Sequence, residues 1–490
     1  MKKRVLTAIL CALLLLTGCG GSTAQTAKND TAQSEQSGDD TMAKAETETE
    51  FLSVLPPKDW EGYEFRILTT DVMVNETMYH EVYSEGVNGE VVNDAVYARN
   101  MAVEEKYKIK ITGSFSGLRD FSLFEKAAKA GDDAFDVVLP DQQSAMQYAG
   151  RGYLTELSAI PYLDFTRPYW LQNSVTELSI GGKSYFVVGD MNLAAYESVP
   201  VYFFNKGMAE SYGIDDLYTT MQTGDWTFDK MIEYASLCST DLNGDGVYGE
   251  EDAYGVALNG FSVLTFTYGG GFRLVEKDEN DYPVISIDQN WIDYLQHVIT
   301  VCDQNPAVLN GDRLGKDDMT KSVNLRKTAF REDRVLFYQE MVTLATELRD
   351  METDFGVLPV PKANVSQETY LSFFHPLGSA VAVPYTNSSL ERTGMVLEDM
   401  GYYTRLGVRP AYIETAVKGK GLRDPESEQV LDMVFDHVTF DAVLQPGILD
   451  DLRQNFRKGD ANLISAIEKK MPTYEKTLAD TISGFIETAE

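Results

Sequence analysis

The chain has 490 residues, with 42 Lys and Arg against 76 Asp and Glu and a formal net charge of −34. Its length leaves room for two or three domains, and an apolar share of 43% suits globular cores. Such acidity excludes nucleic acid, whose phosphates need basic contacts, and adhesion to an anionic leaflet by charge; it favours a neutral or cationic small ligand.

The N-terminus reads Met1-Lys2-Lys3-Arg4, an apolar run from Val5 to Leu16, then Leu16-Thr17-Gly18-Cys19. A basic start, a short apolar core and small residues before a cut point predict a secretory signal peptide over 1–18. The run is too short to cross a bilayer as a mature helix. Leu16–Cys19 resembles the bacterial lipobox. That resemblance implies cleavage before Cys19, acylation (palmitate) of its thiol, and a mature chain lipid-anchored on the extracytoplasmic face of the cell membrane. An ordinary secretory signal with a coincidental Cys is the alternative. Loss of Lys2, Lys3 and Arg4 takes the charge from −34 to −37. Residues 19–58 hold almost no large apolar side chains and read as the lipidated Cys with a disordered tether, closed by Pro56-Pro57.

The body then alternates strand and helix signals. Tyr63–Leu68 reads as a strand, Val92–Tyr107 as a helix, Ile109–Gly113 as a strand and Leu123–Ala130 as a helix. Phe135–Leu139 is a short apolar run of the buried-strand type, and Gln142–Gly150 a helix that Gly152 ends. This order implies a mainly parallel, helix-covered sheet. Lys183–Val188, Val199–Phe204, Val335–Phe337 and Phe355–Leu358 are further strands; Thr227 precedes a helix ending near Cys238, and Gln289–Asp303 is another. Cys238 shares a helical face with Met231, Tyr234 and Ala235, and Cys302 with Ile292, Leu295 and Ile299. Two packed thiols and a disulfide both remain open. Helical patterns dominate after Leu390.

The sharpest local motif is Asp241-Leu-Asn243-Gly-Asp245-Gly246-Val247-Tyr-Gly249-Glu-Glu-Asp252. Oxygen side chains at loop positions one, three, five and twelve, a Gly at six and the Val247 carbonyl at seven suit Ca²⁺, which takes six to eight oxygens. The twelfth position is Asp rather than Glu, and a strand over Ala253–Asn259 replaces the second helix of a paired hand. The expectation is a structural Ca²⁺ held by Asp241, Asn243, Asp245, Val247 and Asp252; a metal-free turn is the alternative. Enzyme signals are thin. Gly181-Gly182-Lys183-Ser184 lacks the first Gly of a P-loop, and in Gly113-Ser-Phe-Ser-Gly117 Phe115 stands where a nucleophile belongs. His80, His297, His375 and His437 show no metal-ligand spacing. Tyr196, Trp226, Tyr268, Phe272, Tyr370, Phe373 and Phe374 fall in or near loops, where rings suit a small-molecule cleft or close a core.

In order along the chain, several segments resemble the extracellular solute-binding proteins of bacterial ABC importers, of the carbohydrate-binding type. They are Phe135–Leu139 with Gly152–Leu157, Tyr202–Lys206, Gly224–Phe228, the acidic loop with Tyr254-Gly255, Gly269–Phe272, Phe330–Phe337 and Phe355–Lys362. The resemblance implies an α/β, two-lobe periplasmic-binding-protein-like fold that closes over ligand about hinge strands, with a helical C-terminal region. Lobe 1 would be 59–196 with part of 355–400. Lobe 2 would be 197–354 with the acidic loop, and 401–490 would complete the lobes. Crossings fall near Tyr196–Phe203 and Phe337–Phe355. It also implies a monomeric, non-enzymatic lipoprotein that captures a small neutral solute, most readily a sugar, and delivers it to ABC permease subunits. The residues expected to face the cleft are Asp141, Gln142, Asp190, Tyr196, Trp226, Gly270, Arg331, Tyr370 and Phe373. A glycan-acting enzyme and a sensor or scaffold lipoprotein are the competing readings.

Overall fold

A computed structural model of the chain describes residues 55–70, 81–117, 120–214, 216–441 and 446–489. The signal peptide, Cys19 and the tether up to residue 54 lie outside the described residues. In chain order the strands are β1 (Tyr63–Thr70), β2 (Ile109–Ser116), β3 (Val137–Leu139), β4 (Phe186–Val187), β5 (Pro200–Asn205), β6 (Tyr254–Leu258) and β7 (Val275–Lys277). They continue with β8 (Pro283–Ile285), β9 (Val308–Asn310), β10 (Val335–Met341), β11 (Phe355–Leu358), β12 (Ser372–Phe373), β13 (Val381–Ala382) and β14 (Val438–Thr439).

Two five-stranded sheets carry the architecture, ordered β2-β1-β3-β13-β4 and β11-β5-β10-β6-β9. In the first, β1 runs parallel to both β2 and β3, and β13 is antiparallel to β3 and β4. In the second, β6 is parallel to β10 and β9, while β5 is antiparallel to β10 and β11. Local chemistry explains the helices between them. Helix Val91–Tyr107 turns Val92, Val96, Val103 and Tyr107 inward and stops at Lys108 in the left-handed region, φ 50°. Helix Gln142–Gly150 starts where the Asp141 carboxylate accepts from the Ser144 amide at 2.9 Å. Thr227 caps helix Phe228–Leu237 through the Lys230 amide. Cys238 and Cys302 are buried free thiols, and burial pushes the Cys238 thiol up to about 11.

The chain passes between the sheets at several places. The first passage leaves β4 and enters β5 through 188–199, earlier than the expected Tyr196–Phe203, because Pro200–Phe203 already belongs to β5. The return differs from the expectation of Phe337–Phe355. Strand β11 pairs with β5, so the chain is still in the second sheet at Leu358 and re-enters the first only at Val381. A four-residue apolar strand carries no local mark of which sheet it joins; partner strands decide that. A third passage follows helix Leu390–Tyr403, through π-helical turns at Thr404–Val408 and Ala411–Lys418, until Gly421 lies against Ala345. The C-terminal region is helical as expected. Its final helix, Leu463–Ala489, follows Ala461, whose carbonyl accepts from Gln296 of the second lobe. It ends on the first lobe, with Gly484 against Gly150 and Phe485 5.5 Å from Tyr185.

These passages orient the site. Strand β5 begins at Pro200 opposite Met341, the end of β10, and β13 begins next to Ser379, which bridges Asp141 at the end of β3. The carboxyl edges of both sheets therefore face the crossings, the usual position for ligands in open α/β sheets.

Candidate functional site

At the first sheet's carboxyl edge, Gln142 is buried, 1% exposed. Its Nε2 donates to the Asp441 carbonyl just beyond β14. Its Oε1 is shielded from solvent and has no hydrogen-bond partner among the described residues. An unspent buried acceptor is costly, and a ligand hydroxyl would satisfy it. Beside it, Ser379 donates to the Glu81 carboxylate and accepts from Asn192 Nδ2 at 3.1 Å. Glu81 also accepts from the Ala194 amide at 3.5 Å. One buried carboxyl group thus touches both the outgoing and the returning passage. Burial raises its pKa to about 7, against the lowering pull of Ser379, the Ala194 and Leu193 amides and Arg99.

At the second sheet's carboxyl edge a column of rings is built from α-helix Ser262–Gly269 and the return passage. Tyr268 lies 4.9 Å from Phe373, Phe373 6.4 Å from His375, and His375 5.3 Å from Phe261. The Arg453 guanidinium closes the column, 3.8 Å from the Phe261 ring centre, and burial lowers its pKa. Tyr268 donates to Asp441 Oδ2 at 2.8 Å, so Asp441 ties this column to Gln142 of the first lobe. Behind it, Ser262 donates to Gln339 Oε1 at 2.8 Å.

A second polar cluster bolts the first passage to the third. Asp190 is fully buried and accepts from the Tyr196 hydroxyl. Arg405 lies 3.3 Å from Asp190, and Arg409 3.8 Å from it and 3.1 Å from the Tyr196 oxygen. Burial raises the Asp190 pKa even with both guanidinium groups beside it. The Tyr196 hydroxyl is pushed up by burial and then by Asp190.

The expected cleft residues therefore separate into groups. Asp141, Gln142 and Phe373 meet where the crossings join the two carboxyl edges. Asp190 and Tyr196 form the bolt, with Tyr196 edge-on to Phe435 at 5.2 Å. Four others are taken up by the second lobe itself. Trp226 is 0% exposed and donates from Nε1 to the Pro359 carbonyl at 2.9 Å. Tyr370 donates to the Met221 carbonyl, and Gly270 ends a helix where a Cβ would strike the Phe266 carbonyl oxygen and Tyr294. Arg331 bonds the Glu347 carbonyl and Asp350. Residues that the expected set lacks are Glu81, Asp441, Phe261 and Arg453. A helix start after β6 could have pointed to Phe261; the other three meet the site only through long-range contacts.

The acidic loop folds on itself. Asp241 accepts from the Gly244 and Gly246 amides at 2.7 and 2.8 Å, Asn243 from Asp245, and Asp245 from Val247. Asp252 accepts from Gly249 and Leu242, and those amides hold its carboxyl below the ordinary range. Among the described residues, no group of three or more His, Cys, Asp or Glu side chains is placed to hold a metal ion.

The geometry has counterparts among solved structures. An ABC substrate-binding protein from Listeria monocytogenes in complex with cycloalternan superposes with a TM-score of 0.56 at 14% identity, covering 86% of this chain and 100% of its own. The chain has the fold of ABC substrate-binding proteins. The cyclic α-maltosyl-1,6-maltose binding protein of Arthrobacter globiformis gives a TM-score of 0.55 at 14% identity, over 87% of this chain and 99% of its own. UgpB of Mycobacterium tuberculosis, in complex with glycerophosphocholine, gives 0.52 at 16% identity, over 87% and 99%. No family model and no curated protein matches the sequence.

Proposed function

We propose that the chain captures a small neutral solute, a sugar or oligosaccharide, between its two lobes and delivers it to an ABC permease, without chemistry of its own. The observation that carries this reading is the meeting of both carboxyl edges at the crossings, with the buried Gln142 oxygen there lacking a donor among the described residues. Two of the structural neighbours above are described with cyclic oligosaccharides. A third is described with glycerophosphocholine, a small polar zwitterion. Ligand that contacts both edges favours the closed lobes because only that state offers both sets of contacts. Calorimetric titration of the body from residue 55 with a sugar panel tests this: saturable one-to-one heat supports it. Heat only from peptides or polyamines, or release of products from polysaccharide, overturns it.

Three companion readings go with it. The protein works as a monomer on the extracytoplasmic face, anchored through acylated Cys19, with 20–58 as the leash that raises its concentration near the permease. Replacing Cys19 with Ala then moves the protein from the membrane fraction to the soluble one. Ca²⁺ in the Asp241–Asp252 loop acts as a structural clip. A chelator then lowers Tm and added Ca²⁺ restores it; an indifferent melting curve contradicts the clip.

A further inference from the structure

We infer that the ligand is an extended oligosaccharide, and that Tyr83 and Phe115 form the platform on which its outer ring lies; this rests on the sugar-capture reading above. The register of β2 makes the argument. Ile109, Ile111, Gly113 and Phe115 share one face of the strand. Ile109 and Ile111 are 6% and 1% exposed, as a core face requires. Phe115, on the same face, is 41% exposed. It stands past the end of the apolar layer, at the carboxyl edge that faces the crossings in this fold.

Tyr83 reaches that spot from the segment before helix Val91–Tyr107. A Cβ on Gly113 would lie 2.7 Å from Tyr83 Cβ and 3.2 Å from Phe115 Cε2. Gly113 is thus the gap that lets the two side chains crowd together over β2. The segment is fixed from behind. The buried Arg99 guanidinium donates to the Glu81 and Val82 carbonyls at 2.9 and 3.0 Å, and Asn100 Nδ2 donates to Val82 at 3.0 Å. Half-exposed rings held this firmly lose little entropy on binding, and an aromatic face suits the apolar face of a pyranose.

Strand order then sets the ligand's length. Strand β2 is the outer strand of its sheet, and β1 separates it from β3, where Gln142 begins its helix. Two strand spacings, about 10 Å, lie between Phe115 and the Gln142 acceptor. One sugar ring does not reach from one to the other. A ligand that uses both must carry at least two linked rings.

The test is calorimetric titration of the mature protein and of Phe115→Ala with malto-, cello- and xylo-oligosaccharides of one to four units. Phe115→Trp and Tyr83→Ala serve as companions, and melting curves report on folding. For the wild-type chain, affinity in the series that binds should rise at least tenfold from one unit to three. Phe115→Ala and Tyr83→Ala should remove most of that gain while leaving the single-unit affinity within about twofold, and Phe115→Trp should keep it. Equal gain with length in Phe115→Ala, at unchanged Tm, overturns the platform and leaves sugar capture standing. Binding that is as tight for one unit as for four overturns the extended ligand. No heat from any series at any length counts against sugar capture itself.

Discussion

The two carboxyl edges are built differently. The second is closed: Phe261 packs against the Arg453 guanidinium and the His375 ring, and Ser262 is spent on Gln339. The first is left open: Phe115 is 41% exposed and the Gln142 oxygen has no partner among the described residues. Rings in the second lobe finish a core or a hinge, whereas Phe115 in the first, held beside Tyr83 over Gly113, keeps 41% of its surface exposed. The same residue type thus carries opposite meanings in the two lobes, and substitutions should separate them.

The largest effect should come from the closed lobe. Trp226 packs against Tyr202 and Phe337 and is 0% exposed, so Trp226→Ala should cost about 3–5 kcal/mol of stability in urea unfolding. Ligand affinity, measured where the variant is folded, should hold. A loss under 1 kcal/mol would take Trp226 out of the core and return it to the cleft.

Glu81 comes next. Its carboxyl is raised from 4.5 to about 7, so between those values the folded protein keeps a proton that the unfolded chain has released. Stability therefore falls as pH rises from 4.5 to about 7 and levels off above it, by roughly 3 kcal/mol if the whole displacement is expressed. Glu81→Gln should flatten that slope and gain stability at pH 8. Melting curves from pH 4 to 9 check it; an unchanged slope would mean other groups carry it.

The bolt should respond more weakly. Tyr196→Phe removes the hydroxyl that donates to buried Asp190, leaving Arg405 and Arg409 as its partners. A loss of about 1–3 kcal/mol in thermal unfolding is expected. Smallest of all, Phe115→Ala should change stability by no more than about 0.5 kcal/mol, because its ring is not core. A large loss there would erase the difference between the two edges.

Much of the fold was legible locally. Helix Gln142–Gly150 and strand β3 follow from short-range signals, an Asp cap and a continuous apolar run. What local pattern does not carry is partnership. Phe355–Leu358 reads correctly as a strand, but joining β5 is a property of Tyr202–Asn205 as much as of itself. The same limit divides the candidate site. Gln142 was legible because it follows a strand end. Trp226 and Tyr370 have the loop positions of ligand platforms, and only the Pro359 and Met221 carbonyls show them to be internal. Phe115 was visible as the odd residue in Gly113–Gly117, but its exposure depends on where the helix layer stops.

The central claim is that both edges hold one ligand. Hydrogen exchange of the body with and without a bound sugar tests it most directly. The account predicts that ligand slows exchange at two places together: the ends of β2 and β3, near residues 113–116 and 139–144, and the ends of β6 and β10, near 259–262 and 339–342. Protection confined to one of the two lobes, or to an outer face of either, would contradict it.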